Sequence, residues 1–211
     1  MNDAVAAASV AMIEAGRLLG IAGLTPGTTG NVSVRVGDRV VVTGTGARLG
    51  ALRPEDVSVL DANGTLLEGA KPTKESVLHV ESYRVRPDVH AIVHLHSPAA
   101  LAASCLDDLP PAQPLPVYTP YYAMRAGRVR LVEYFAPGDT ALASAVSAAL
   151  GDADSVLLRR HGLVTAAVSL DAAVAAAEEL EANADIHLRL GGRAATPLSD
   201  AEIAELQHWR K

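Results

Sequence analysis

Two β-hairpins in the first third of the chain constrain its fold more than any other feature. Val32-Ser33-Val34-Arg35-Val36 alternates with the period of a strand, Gly37-Asp38 reverses direction, and Arg39-Val40-Val41-Val42 answers as a second strand. The pattern repeats in Val57-Ser58-Val59-Leu60 and Thr65-Leu66-Leu67, around Asp61-Ala62-Asn63-Gly64 with its Asn-Gly turn signal. Tight hairpins join antiparallel neighbours only. A chain with more hairpins than crossovers therefore builds a mixed, mostly antiparallel sheet.

Helical periodicity fills the intervals. Residues 3–22 read as an alanine-rich helix with a stop at Gly20–Gly23. Thr73 is the expected N-cap of a helix from Lys74 to about Arg86, which Pro87 ends. The spacing predicts further helices over Pro98–Leu106, Thr140–Leu150 and Leu170–Leu190, with a short helical turn at Arg53–Asp56. Strands are expected at Val89–His96, Val129–Phe135, Ser155–Leu158 and Leu163–Ala166, and a proline-rich connection runs from Leu109 to Pro120. The expected architecture is α/β, one domain over residues 1–211, its central sheet covered by helices on both faces.

Composition narrows the partners. A chain of 211 residues suffices for one full core. The net charge of −6 comes without a basic patch, so nucleic acid is not an expected partner. Cys105 is the only cysteine, which excludes an internal disulfide and fits a reducing cytosol. Asp3, Glu14 and Arg17 interrupt the N-terminal apolar run, against a secretion signal. No stretch approaches the roughly 18–20 consecutive apolar residues of a membrane span. The expected location is the cytoplasm, with no membrane partner.

Four stretches carry chemistry. In Val89-His90-Ala91-Ile92-Val93-His94-Leu95-His96, strand alternation points His94 and His96 the same way, with His90 and Ile92 on that side. His161 follows another apolar run and precedes Gly162, which permits a sharp turn. Three imidazoles plus an open position suit a catalytic divalent metal, Zn2+ foremost, with Mn2+, Co2+ or Fe2+ as alternatives. Glu75 opens its helix, where a carboxylate either complements the helix dipole or moves a proton. His79, one helical turn on, either orients Glu75 or is an ordinary packed histidine. The loops Gly27–Asn31 and Thr43–Gly46 offer backbone N–H groups and hydroxyls to an anion, or are simply hairpin turns. Thr119-Pro120-Tyr121-Tyr122-Ala123-Met124-Arg125 places adjacent tyrosines in a chain only 3% aromatic. A phenol there packs in the core or donates a proton.

In order and spacing, Gly30-Asn31-Val32-Ser33, Thr45-Gly46, Lys71-Pro72-Thr73-Lys74-Glu75, His94-Leu95-His96 and His161-Gly162 resemble the class II aldolase/adducin family, from the first helix to about residue 190. The resemblance implies a class II aldolase-like fold and a zinc-dependent lyase that cleaves a phosphorylated sugar or sugar acid through a metal-bound enediolate. It also implies a four-fold symmetric homotetramer with sites at subunit interfaces. Carried over by position, His94, His96 and His161 are the metal ligands and Glu75 the acid/base. Thr28, Asn31, Thr45, Gly46 and Thr73 hold the phosphate. Tyr121 is the proton donor, supplied by the adjacent subunit, with Tyr122 as the alternative.

One departure refines the expectation. The fuculose-phosphate aldolase branch has two serines before the glutamate, and here the second position is Lys74. Lys-Pro-Thr-Lys-Glu, Thr-Pro-Tyr-Tyr-Ala-Met-Arg and Pro137-Gly138-Asp139 are closer to the 3-oxo-tetronate 4-phosphate decarboxylase branch. Lys74 then pairs with a substrate carboxylate or strengthens phosphate binding, or is a solvated surface lysine. The implied reaction is decarboxylation of a 3-oxo-tetronate 4-phosphate to dihydroxyacetone phosphate. An L-fuculose-phosphate-type aldolase, giving dihydroxyacetone phosphate and an aldehyde, is the alternative. A non-catalytic adducin-like interaction domain and an iron-dependent oxygenase rank behind both.

Overall fold

A computed structural model describes residues 3–206; residues 1, 2 and 207–211 of the expected domain lie outside the described residues. Eight strands form one sheet: β1 (Asn31–Val36), β2 (Arg39–Thr43), β3 (Val57–Asp61), β4 (Leu66–Gly69), β5 (Ala91–Leu95), β6 (Val129–Val132), β7 (Ser155–Leu158) and β8 (Gly162–Ala167). Their order is β4-β3-β2-β1-β5-β8-β7-β6. All neighbours pair antiparallel except β6 with β7. Both expected hairpins are present, β1–β2 in the register Val36 to Arg39 and β3–β4 around Gly64 at φ +86°.

Helices cover both faces, as the pattern implied. On one face α1 (Asp3–Ile21), α3 (Pro98–Ser104), α4 (Pro120–Arg125) and α6 (Leu170–Leu190) bury Met12, Leu19, Ala100, Tyr122, Ala177 and Leu180 against Val41, Val93, Leu95 and Leu163. On the other, α2 (Ser76–Val85) and α5 (Thr140–Leu150) pack Leu78, Val80, Tyr83, Val146 and Leu150 against Val40, Val42, Ile92, Val156 and Val164. Strand alternation explains the division: Val41 serves one core and its neighbours Val40 and Val42 the other. A last helix, α7 (Asp200–Leu206), had no expectation attached to it.

Several local expectations need correction, among them the strand expected over Val129–Phe135, which ends at Val132. Glu75 itself is the N-cap residue of α2, in place of Thr73; Thr73 Oγ1 accepts from the Glu75 N–H at 3.4 Å. The strand expected to run to His96 stops at Leu95, because Ser97 caps α3 and precedes Pro98, a position held extended and unpaired. The stretch holding Tyr121 and Tyr122, left without an element, is the short helix α4. Its signal was the Thr119-Pro120 pair, in which Thr119 Oγ1 accepts from the Tyr122 N–H at 3.1 Å. Finally, α1 is long and apolar enough, by length and composition, to cross a membrane. It nevertheless buries Val5, Ala8, Ser9, Met12, Ala15, Gly16 and Leu19, and a Cβ on Gly16 would stand 2.4 Å from Leu49 O. α1 packs one face against the sheet.

Candidate metal centre

The sheet register assembles the site. Antiparallel pairing sets Asn31 of β1 opposite His94 of β5, and Val164 of β8 on the other side of His94. His94 shares the strand face of Ile92, the face covered by α2. Glu75, at the head of α2, is thereby set over the end of β5, while His161 arrives from the β7–β8 turn. That turn is forced into place. Arg160 holds φ +56° and Gly162 φ +144°, and a Cβ on Gly162 would lie 2.1 Å from Leu95 O. Only glycine lets β8 approach the histidine-bearing strand so closely. Gly30 does the same on the other side, where a Cβ would meet His94 O at 2.8 Å.

The result is a compact cluster. The ligand-type atoms of Glu75, His94, His96 and His161 all lie within 4.8 Å of one another. The three imidazoles meet edge to face with centroids 4.6–4.9 Å apart. His94 Nε2 is 3.0 Å from His96 Nε2 and 3.3 Å from Glu75 Oε2, and His161 Nε2 is 3.4 Å from Glu75 Oε1.

These residues fit a divalent cation. His94 Nδ1 is 2.8 Å from Leu163 O, an acceptor only, so Nδ1 carries the proton and the Nε2 lone pair faces the cluster. Both nitrogens of His161 and Glu75 Oε1 are buried without a hydrogen-bond partner. Such groups are costly to bury unmatched, and a cation would satisfy the carboxylate oxygen and the imidazole lone pair. Burial is the largest influence that pushes the His96 imidazole down to about 3, which keeps it neutral and able to ligate. Burial alone would raise the Glu75 carboxyl, but His94, His161 and Asn31 outweigh it and hold Glu75 well below the usual carboxylate range. Glu75 is therefore held as a carboxylate at neutral pH.

The surrounding residues divide in two. Thr43 and Thr45 are stitched to the segment before Glu75, Thr45 N–H donating to Lys71 O at 2.9 Å and Thr73 N–H to Thr43 O at 3.1 Å. Thr28, Thr45, Gly46 and Lys74 are exposed, and Thr73 is buried. Asn31, expected at the phosphate, has its side chain engaged elsewhere: Nδ2 donates to Glu75 Oε2 at 2.8 Å, and Oδ1 lies 2.5 Å from His79 Nε2. His79 is thus neither an isolated core histidine nor a direct partner of Glu75.

The tyrosines separate. Tyr122 is fully buried and its hydroxyl accepts from Gln113 Nε2 at 3.2 Å, which makes it a core residue. Tyr121 is 58% exposed and lines a cleft with Arg86, Asp88, Met124, Arg125 and Val168. That cleft adjoins the Ala167 end of β8, whereas the cluster adjoins the Gly162 end. At about 3.4 Å per residue the strand separates them by roughly 17 Å. Within one chain, Tyr121 does not join the cluster.

The chain has relatives among known proteins. Residues 10–188 match the model of the class II aldolase and adducin N-terminal domain. The chain is 41% identical over 198 residues to a 3-oxo-tetronate 4-phosphate decarboxylase of Haemophilus influenzae, covering 93% of this chain and 94% of that protein. It is 37% identical over 161 residues to an L-fuculose phosphate aldolase of Methanococcus maripaludis, covering 76% and 85% respectively. The solved structure of YgbL from Klebsiella pneumoniae superposes with a TM-score of 0.92 at 36% identity, covering 96% of this chain and 98% of that one. The histidine-bearing sheet, the glutamate at the head of α2 and these likenesses over nearly the whole length lead to one conclusion: the chain belongs to the class II aldolase and adducin N-terminal domain family.

Proposed function

We propose that this protein is a metal-dependent carbon–carbon lyase that decarboxylates a 3-oxo-tetronate 4-phosphate to dihydroxyacetone phosphate. The observation that carries the reading is the convergence of three imidazoles and one ionised glutamate within 4.8 Å. Its likeness to the Haemophilus decarboxylase over 93% of the chain supports the substrate class. The same reading takes residues 1–211 as one domain and places the enzyme in the cytoplasm, where the exposed thiol of Cys105 would stay reduced.

His94, His96 and His161 would hold the cation, with Zn2+ the first choice and Mn2+, Co2+ or Fe2+ the alternatives. Bound there, it supplies Lewis acidity that draws negative charge onto substrate oxygens. The chain's own residues do the rest. Loss of carbon dioxide leaves the bonding electron pair on the carbon beside the carbonyl, and a proton taken from solvent reaches that carbon through Glu75, which ends as the carboxylate it began as. In the reverse sense, the Glu75 carboxylate removes a hydroxymethyl proton from dihydroxyacetone phosphate. Glu75 is read as the acid/base rather than a permanent ligand, since Asn31 holds its Oε2 independently of any cation. Thr28, Thr45, Gly46 and Thr73 are the donors assigned to the phosphate, with Asn31 sharing its amide. Lys74, exposed beside Glu75, is assigned to the departing carboxylate.

A second reading, aldol cleavage, is favoured by Tyr121, an exposed phenol with no partner in the cluster of its own chain. Delivered by a neighbouring subunit of a homotetramer, it would protonate a departing alkoxide. Proton NMR of dihydroxyacetone phosphate in heavy water, with zinc-loaded protein, tests the shared chemistry. Loss of one hydroxymethyl signal that depends on Glu75 is the expected result, and no exchange with metal bound would refute it. Carbon dioxide release from 3-oxo-tetronate 4-phosphate then separates decarboxylase from aldolase.

A further inference from the structure

Behind Glu75 runs a buried line of polar side chains whose donors and acceptors can all be assigned. Asn31 Nδ2 donates to Glu75 Oε2 at 2.8 Å, which leaves Oδ1 as the free end of the amide. Asn31 Oδ1 then faces His79 Nε2 at 2.5 Å and can only accept, so His79 carries its proton on Nε2. His79 Nδ1 is left bare, and Ser33 Oγ donates to it at 2.7 Å. With its proton spent, Ser33 Oγ accepts from Tyr83 Oη at 2.8 Å, the closer of that hydroxyl's two acceptors, His90 O lying 3.5 Å away. Asn31, Ser33, His79 and Tyr83 are all buried, and His79 and Ser33 are wholly so.

We propose that Tyr83, Ser33, His79 and Asn31 form a one-way hydrogen-bond chain ending on Glu75 Oε2, with His79 the positioning residue that locks the Asn31 amide. The inference rests on Glu75 being the acid/base and names the oxygen it uses. Oε2 is held by Asn31, so the proton moves on and off Oε1, the buried oxygen without a hydrogen-bond partner beside His161. Without His79 the amide is free to turn over, which would set oxygen against oxygen and release the carboxylate from its fixed orientation. Burial also pushes the His79 imidazole down to about 3, in keeping with a neutral ring.

Metal-free, 15N-labelled wild-type protein provides the first test. Two-bond proton–nitrogen spectra at neutral pH should show His79 with hydrogen on Nε2 and a bare Nδ1, and slowly exchanging Asn31 carboxamide protons. Hydrogen on Nδ1 overturns the proposal outright, whatever the enzyme does. The second test is a pair of variants. His79→Leu should keep wild-type metal stoichiometry while the maximal rate of dihydroxyacetone phosphate proton exchange falls about 10–100-fold, with KM little changed. His79→Gln, whose amide nitrogen reaches the place of Nε2, should recover most of that rate. Equal impairment of both variants, or an unimpaired His79→Leu, refutes positioning. Should His79→Leu fail to fold, the wild-type spectrum decides by itself. A wild-type protein that exchanges no substrate protons would sink the lyase reading and leave the His79 spectrum to judge the chain.

Discussion

The cluster and its rim are built on opposite principles. Glu75, His94 and His161 are buried, their places set by sheet register, by two close-approach glycines and by the bond from Asn31. Thr28, Thr45, Gly46, Lys74 and Tyr121 are exposed, on loops or on the six-residue helix α4. One chain thus fixes the buried groups rigidly and leaves the exposed ones open to solvent. Preorganisation belongs where charge develops, whereas the groups that select the substrate tolerate openness.

Breaking the buried half should cost most. His94→Ala should remove most bound metal, measured by elemental analysis, and with it all exchange activity; near-normal occupancy would strike His94 from the site. Glu75→Gln should keep the metal and lower proton exchange by about 10²–10⁴-fold, the usual range for an acid/base. Gly162→Ala should weaken metal binding and lower the melting temperature of the metal-free protein, because its Cβ has no room beside Leu95 O. An unchanged melting curve would show that the β7–β8 turn yields more easily than its geometry implies.

The rim should respond differently. Tyr121→Phe and Glu75→Gln protomers, each inactive in aldol cleavage, should regain part of that activity when mixed if the site is shared between subunits. No recovery in mixed oligomers would confine Tyr121 to its own chain. Lys74→Ser should shift preference from acidic towards neutral substrates while leaving dihydroxyacetone phosphate exchange within a few fold; unchanged selectivity removes Lys74 from the carboxylate. The smallest effect concerns pH. The buried His79 titrates near 3 against an ordinary 6.5, lowered by burial and by His94 and raised by Glu75. A depressed value means that the unfolded imidazole binds a proton the folded one refuses. Stability should therefore fall as pH drops from about 6.5 towards 3. His79→Gln should flatten that acid limb in melting experiments on the metal-free protein.

The two halves also differ in how far the sequence reveals them. Strand alternation and turn residues determined the hairpins, and helical spacing determined α5 and α6 to the residue. His94 and His96, two apart on an extended segment, announced a shared direction. Local chemistry was enough because each signal lies within a few residues. Other features are decided by contacts between residues far apart in the chain. The resemblance assigns Asn31 to the phosphate, and the packing of α2 on β1 also brings Glu75 and His79, 44 and 48 residues away, onto the two ends of its amide. Ser33 and Tyr83 gave a weak local hint, as Ser33 lies two from Asn31 on a strand and Tyr83 four from His79 on a helix. Tyr121 and Tyr122 are adjacent and chemically alike, yet one helix position apart sends Tyr122 into the core and Tyr121 to the surface. The sequence by itself determined which groups the protein carries and the local elements that bear them. Only the tertiary structure decided which groups meet, because hydrogen-bond partners and burial are set by sheet order and helix packing rather than by neighbours along the chain.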